Sequence, residues 1–439
     1  MKLRFRRVSA AVFAVTAMTA MAACQGRSSS TDAGDVTNTT GVGVEQVVTK
    51  DQCQSYDPSP GISSGEIKLG SSYPDSGPLA SIGEANKGME AYFKHLNETG
   101  GINGRKVTLI GKDDQYDPTK ATANVNELLQ SDRVFAIVGV QSTTGTMAVW
   151  DQLQKQCVPI LESTISSASM AQRAAHPNAT DGLVPYPSEA YALGTYVTKQ
   201  RKNTKVALIA QAGTFGTSAK RGLEKSLADN GAQLVASATF QVTDPTVTSQ
   251  ITTLKASGAD ALVVVAAGTK CPQIFDAVGD ADWHPTLATT FTCANTTLMK
   301  LAKPANVNGV ISDSWVRLRT QGDPESDAYF AALAKYFPQV NAGSENVAIG
   351  WAQGEVVAET LKRATALTRV DVINSALGLK DVKIGMAADG VLVNTSKNDT
   401  APVESVQITQ FDSGALAWKL ADGSTGPIDV GGKLAELAG

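Results

Sequence analysis

Alternation constrains this chain more than any other feature. From residue 66 onward, short apolar runs alternate with stretches in which apolar residues recur every three or four positions. Residues 67–70 form a first run. Ala85, Met89, Phe93 and Leu96 then fall on one helix face. Gly100-Gly101-Ile102-Asn103-Gly104 stops that helix, and 107–110 form the next run. Pro118 opens a second helix with Ala121, Val125, Leu128 and Leu129 in phase; proline suits the first turn because its missing N–H is not needed there. A continuous apolar run at 134–140, a helix from about Thr143 and a run at 158–161 end this array. The pattern restarts after Tyr186-Pro187, with runs at 206–209, 234–240, 261–267 and 287–291. Helices are expected between them at 188–201, 215–230, 246–257 and 272–279. Strands that are apolar on both faces argue a parallel sheet covered by helices on each side. The fold class is therefore α/β, with two doubly wound arrays of four or five strands each. A run at 309–316, a helix at 345–366 and a last run at 403–411 are too little for a third domain. They are expected to complete one or both arrays.

The N-terminus differs from the rest. Lys2, Arg4, Arg6 and Arg7 precede an uncharged apolar stretch at 8–20, followed by Met21-Ala22-Ala23-Cys24. A basic start, a short apolar segment and small residues at the cut describe a secretory signal. At 13–16 weakly apolar residues the stretch is shorter than the ~20 a bilayer span needs. The Cys after Met-Ala-Ala resembles a bacterial lipobox, which implies cleavage before Cys24 and acylation of its thiol. More than one acyl chain gives stable anchoring where a single chain does not. That reading accounts for an odd count of five Cys. Losing 1–23 removes four basic residues and no acid, so the net charge moves from −4 to −8. Residues 24–61, rich in Ser, Thr, Gly, Asp and Asn, are expected to form a flexible tether.

The net charge argues against nucleic-acid binding. Three widely separated His (His95, His176 and His284) form no metal motif, and no metal or other cofactor is expected. There is no G-x-S-x-G, H-E-x-x-H or P-loop pattern. Asp113-Asp114 is expected to shape a turn rather than to act as a catalytic pair. Hydroxyl clusters sit at two strand ends, at Ser142-Thr143-Thr144 and at Ser163-Thr164-Ile165-Ser166-Ser167. Ser and Thr there can cap helices. They can also hold a carboxylate together with the free N–H groups of a helix start. Ligands of open parallel sheets lie beyond the carboxyl ends of the strands, so one solute could touch both clusters.

Several segments occur in a telling order: I-K-L-G, S-G-P-L-A-S-I-G, L-N-E-T-G-G-I-N-G-R-K, D-D-Q-Y-D-P, V-F-A-I-V-G and V-P-I-L. In this order they resemble the leucine/isoleucine/valine-binding family of ABC-transporter substrate-binding proteins, over about 65–411. The resemblance implies a type I periplasmic-binding fold, with two α/β lobes, three crossing strands and a ligand cleft. It implies lobe 1 from 62–186 and 315–382, and lobe 2 from 187–314 with 383–439 returning mainly to it. It also implies a binder, not an enzyme, held outside the cytoplasmic membrane and delivering solute to permease and ATPase subunits. By resemblance Thr143 takes the ligand carboxylate, with Ser142 in the same cluster. Thr164 and Ser166 contact carboxylate and amine, and Phe215 closes from the second lobe. The usual acidic partner of the ligand ammonium is missing after the 287–291 run, where the chain reads Thr290-Phe291-Thr292-Cys293. A branched-chain amino acid or related small carboxylate is expected. The alternatives are an aromatic acid, a short amide or urea, or a sensor role on the same fold. Ile82 stands where the family has an aromatic wall, and Trp315, Arg317 and Trp351 are candidate lining. Cys53, Cys157, Cys271 and Cys293 allow three pairings. Cys271–Cys293 is favoured because both follow adjacent strands, at about 3 kcal/mol for such a loop; Cys53–Cys157 remains.

Overall fold

A computed structural model describes residues 46–199, 203–319 and 323–431. The signal, Cys24 and the tether up to residue 45 lie outside the described residues. Lobe 1 contains β1 (Glu66–Tyr73), α1 (Ala80–Glu98), β2 (Lys106–Asp113), α2 (Pro118–Gln130) and β3 (Ala136–Val138). It continues through α3 (Thr143–Lys155), β4 (Ile160–Ser163), α4 (Met170–Ala175) and β5 (Ala179–Asp181). The five strands are all parallel in the order β2-β1-β3-β4-β5.

Lobe 2 starts with α5 (Tyr186–Lys199), β6 (Lys205–Gln211), α6 (Thr214–Asp229), β7 (Gln233–Phe240) and α7 (Thr248–Ala256). It continues with β8 (Ala261–Val265), α8 (Lys270–Asp280), β9 (Thr286–Thr289), α9 (Thr296–Met299), α10 (Pro304–Val307) and β10 (Ile311–Ser314). The chain then makes α11 (Pro324–Tyr336), α12 (Glu345–Arg363) and α13 (Arg369–Ala376), which pack with lobe 1. It returns to the second sheet as β11 (Ser405–Asp412), β12 (Ala417–Leu420) and β13 (Ile428–Asp429). That sheet runs β12-β11-β10-β9-β8-β6-β7, parallel from β7 to β10 and antiparallel beyond. Three passages therefore join the lobes: β5 to α5, β10 to α11, and α13 to β11.

The expected two-sided burial is present. Met89, Phe93 and Leu361 pack on one face of the first sheet, and Val125, Leu128, Val149 and Leu153 on the other. Leu193 and Leu223 cover one face of the second sheet, Ile251 and Phe275 the other. Every residue of β8 is buried, so no polar alternation survives in its sequence.

The described end of the tether corrects one expectation. Residues 46–61 are not a free linker but lie against lobe 1. The N–H groups of Val47 and Val48 both donate to Asn374 Oδ1 at 2.9 Å, and Asn374 Nδ2 donates to the Val48 carbonyl at 2.8 Å. Cys53 is bridged to Cys157, and the Arg369 N–H donates to the Pro58 carbonyl at 2.8 Å. The second bridge joins Cys271 to Cys293 inside lobe 2. Among the described residues no helix is long and apolar enough to cross a membrane, and no group of His, Cys, Asp and Glu could hold a metal ion.

Candidate ligand cavity between the lobes

A cavity of about 130 Å³ is walled by both lobes. Its lining comes from strand ends and helix starts, where the parallel topology leaves backbone groups pointing outward. From lobe 1, Gln141, Thr143 and Thr164 follow β3 and β4, and Tyr116 follows β2. Leu79, Ile82 and Ala85 belong to the start of α1, and Asn346 and Ile349 to the start of α12. From lobe 2, Gln211 to Phe215 make the turn from β6 into α6, while Phe291 and Thr292 follow β9. Gly213 carries φ +114°, a value that suits glycine and lets the chain turn sharply into α6. The rings of Tyr186 and Phe215, both on the lining, meet at a tilt of 53° with centroids 4.4 Å apart.

Thr143, Thr164, Phe215 and Ile82 therefore meet at one cavity although 133 positions separate the first from the last. Ser142 and Ser166 do not line it. Ser142 caps α3, its hydroxyl accepting from the Gly145 N–H at 3.0 Å. Ser166 is fully buried and donates to Asp181 Oδ1 at 3.1 Å. Trp315, Trp351 and Arg317 also lie elsewhere. The two Trp are core residues, Trp351 edge-on to Tyr92 and Tyr329. Arg317 pairs with Asp323 at 2.7 Å. Asp113 and Asp114 shape the turn after β2 by accepting from the N–H groups of Asp75, Gln115 and Tyr116.

Tyr116, Tyr186, Asn346 and Ile349 were not expected at the site. Burial pushes both phenols up, and each has a hydroxyl neighbour: Ser142 beside Tyr116 and Thr143 beside Tyr186. A Tyr in a turn, a Tyr at a helix start, and a helix whose Asn346 comes 203 positions after Thr143 leave no local signal for this role.

Among the described residues the lining contains no Asp, Glu, Lys, Arg or His. The buried acids Glu189 and Glu345 are not part of the lining. Glu189 Oε1 accepts the Phe291 N–H behind the aromatic wall, beside Asp313. Glu345 is held by Arg319 at 3.1 Å and by the Thr296 N–H at 3.1 Å. The cavity is thus apolar with neutral hydrogen-bonding groups, and it could close around one small solute.

The sequence profile of the periplasmic binding protein family matches residues 66–415. The chain belongs to that family. Leu/Ile/Val-binding protein homolog 7 of Brucella suis biovar 1 (strain 1330) is 28% identical over 208 residues, 46% of this chain and 52% of that protein. The match thus spans about half the length of that curated relative. A branched chain amino acid ABC transporter from Thermus thermophilus, solved with bound valine, superposes with TM-score 0.73 at 18% identity. It covers 85% of this chain and 99% of its own. A solute binding protein from R. palustris in complex with 4-hydroxybenzoate gives 0.70 at 19% identity, covering 83% and 97%. At this identity the two likenesses establish the fold: this periplasmic binding protein is of type I.

Acids buried in this binding protein set its response to pH. Burial lifts Asp313 and Glu355 to about 7. Burial also holds Glu162 and Glu189 well above the usual carboxylate range, with Asp181 and Asp313 as their respective like-charged neighbours. Unfolded, such groups titrate near about 4. Between there and about 7 the native form binds more protons than the unfolded chain, so stability falls as pH rises through that window. Each unit of upward shift is worth about 1.4 kcal/mol. The melting temperature is therefore expected to be several degrees higher at pH 5 than at pH 8. A scan that rises or stays flat over this range would contradict the burial of these acids.

Proposed function

We propose that this chain is the substrate-binding subunit of an ABC importer, acting outside the cytoplasmic membrane and anchored through acylated Cys24. It captures a small solute, a branched-chain amino acid or related small carboxylate, and hands it to the permease. The observation that carries this reading is a cavity whose wall is shared by two lobes and has no nucleophile–base pair among its described lining. A solute seated on Thr143 and Thr164 is covered when Phe215 and Thr214 swing in from the other lobe. A ligand that touches both lobes stabilises the closed form by its differential contacts, shifting an existing open–closed equilibrium. The closed form then presents a surface to the permease that the open form lacks. Binding without turnover separates this reading from an enzyme on the same fold.

The test combines a thermal-shift screen of amino acids, aromatic acids, short amides and urea with small-angle scattering of the hit complex. The expected result is a smaller radius of gyration on binding and recovery of the solute unaltered. Phe215→Ala should weaken the hit by about tenfold or more, close to the 1.4 kcal/mol that this ratio represents, and should blunt the compaction. A solute chemically changed on release, or a hit indifferent to Phe215→Ala, would count against the reading.

A further inference from the structure

We infer that the solute is a monocarboxylic acid with a compact apolar or aromatic body and no amino group; this rests on the receptor reading above and narrows its ligand. The first observation is the missing counter-charge. An ammonium in this cavity would meet neutral acceptors alone among the described lining, because no acid belongs to it. Glu189 accepts from the Phe291 backbone through Oε1, and its Oε2 is buried without a described partner but does not line the cavity. Glu345 is held by Arg319 and Thr296. Glu84 takes the Ser344 hydroxyl at 2.6 Å. Burying a cation without a charged partner is costly.

The second observation is a surplus of donors. α3 and α6, of 13 and 16 residues and from opposite lobes, both start at the cavity. Their first N–H groups have no intrahelical acceptor, and the aligned peptide dipoles favour negative charge there. Ser142 caps α3 at the Gly145 N–H alone, and Gly213 offers α6 no side-chain cap. Independently of both helices, Thr164 lines the cavity, is 5% exposed as a residue, and its hydroxyl makes no hydrogen bond within the described protein. That hydroxyl faces the cavity and is free to meet a ligand, as is the side-chain amide of Gln211, whose buried Oε1 has no partner among the described residues. Donors from two lobes and a free hydroxyl suit a carboxylate bridging the cleft.

The third observation is size and lining. Leu79, Ile82, Leu183, Ile349, Phe215 and Phe291 supply the apolar surface. Apolar cavities of about 150 Å³ take a benzene ring, so about 130 Å³ accommodates one ring or a short branched chain.

The test is calorimetric titration of the mature chain at pH 7 with matched probes. Isocaproate and L-leucine share one skeleton and differ by the amino group; phenylacetate and phenylglycine share another. Isocaproamide replaces the carboxylate by a neutral head. The better-fitting acid is expected to bind at least about tenfold tighter than its amino acid and its amide, a difference of 1.4 kcal/mol. Thr164→Val should remove about tenfold of the acid's affinity with the melting temperature unchanged. An amino acid that binds as tightly as its amine-free twin overturns the inference, as does a tighter amide or an acid indifferent to Thr164→Val. If the amino acids bind and compact the protein, the receptor reading stands and the ligand class falls. If neither these probes nor any solute of the wider screen binds, both fall.

Discussion

Replacing Asp181 by alanine is expected to lower the unfolding free energy by about 3–5 kcal/mol, the range for stranding one member of a buried ion pair. Asp181 and Arg173 have no exposed surface, and the guanidinium reaches the carboxylate at 2.9 Å. Burial nevertheless keeps the Asp181 carboxyl above its usual range, with Arg173 opposing that shift. The direction means that desolvation outweighs the attraction, so the pair adds little net stability, yet neither member tolerates loss of the other. Without Asp181 the Arg173 charge would face the Ala168 and Ile165 carbonyls, at 3.1 and 3.2 Å. Asp181 also ties the cavity wall to the hinge. Its Oδ1 accepts from the N–H groups of Ile165, just after β4, and of Leu183, within the first passage, both at 3.3 Å, and its own N–H donates to the Thr400 carbonyl at 2.9 Å. Thr164 and Leu183 line the cavity, so weaker ligand binding should accompany the lost stability. Urea unfolding measures the first effect and titration the second. The double replacement Arg173→Met with Asp181→Leu should cost less than Asp181→Ala alone. A single replacement costing under about 1 kcal/mol, as exposed pairs do, would show that the pair is solvated.

Such a pair explains why part of the fold was hard to see in the sequence. β8, Ala261–Val265, declares itself because full burial on both faces leaves an unbroken apolar run. β5, Ala179–Asp181, is just as buried, but its polar residues are satisfied by Arg173 and by Glu162. No periodicity marks it as a strand, and it was not expected. α11 and α13 escaped for a related reason: few of their residues form a continuous apolar stripe, and α13 is held partly by Arg369 reaching the Val134 and Phe135 carbonyls. At the cavity, strand ends were legible because parallel topology fixes where they point. Thr143, Thr164 and Phe215 reach the cavity on that rule. Ser142 and Ser166 lie one or two positions away and turn inward to cap or to bond Asp181. Which member of a hydroxyl cluster faces the solute depends on side-chain direction, and spacing alone does not encode it.

Gly350→Ala is the second substitution with a large expected effect, and it couples stability to the site directly. α1 and α12 cross with their backbones nearly touching. A Cβ on Gly350 would lie 1.7 Å from the Ala85 carbonyl oxygen and 2.5 Å from its carbon. One on Gly88 would lie 1.8 Å from the Val347 oxygen. The obstructing atoms are helix backbone, so no side chain can swing away and the two helices must separate. Overpacking of this kind costs about 1–3 kcal/mol and occasionally more. The better helix propensity of alanine returns at most about 1 kcal/mol. The contact is close enough to place the change at the upper end, a net loss of about 2 kcal/mol or more. The same crossing positions Ile82 and Ala85 on one helix and Asn346 and Ile349 on the other, all at the cavity. Separation should therefore widen the cavity and weaken solute binding as well. Gly65→Ala is the control, since a Cβ there meets nothing within 4 Å; it should leave stability and binding unchanged. If Gly350→Ala behaves like Gly65→Ala in both measurements, the helices have room between them, and the cavity wall is not set by their close approach.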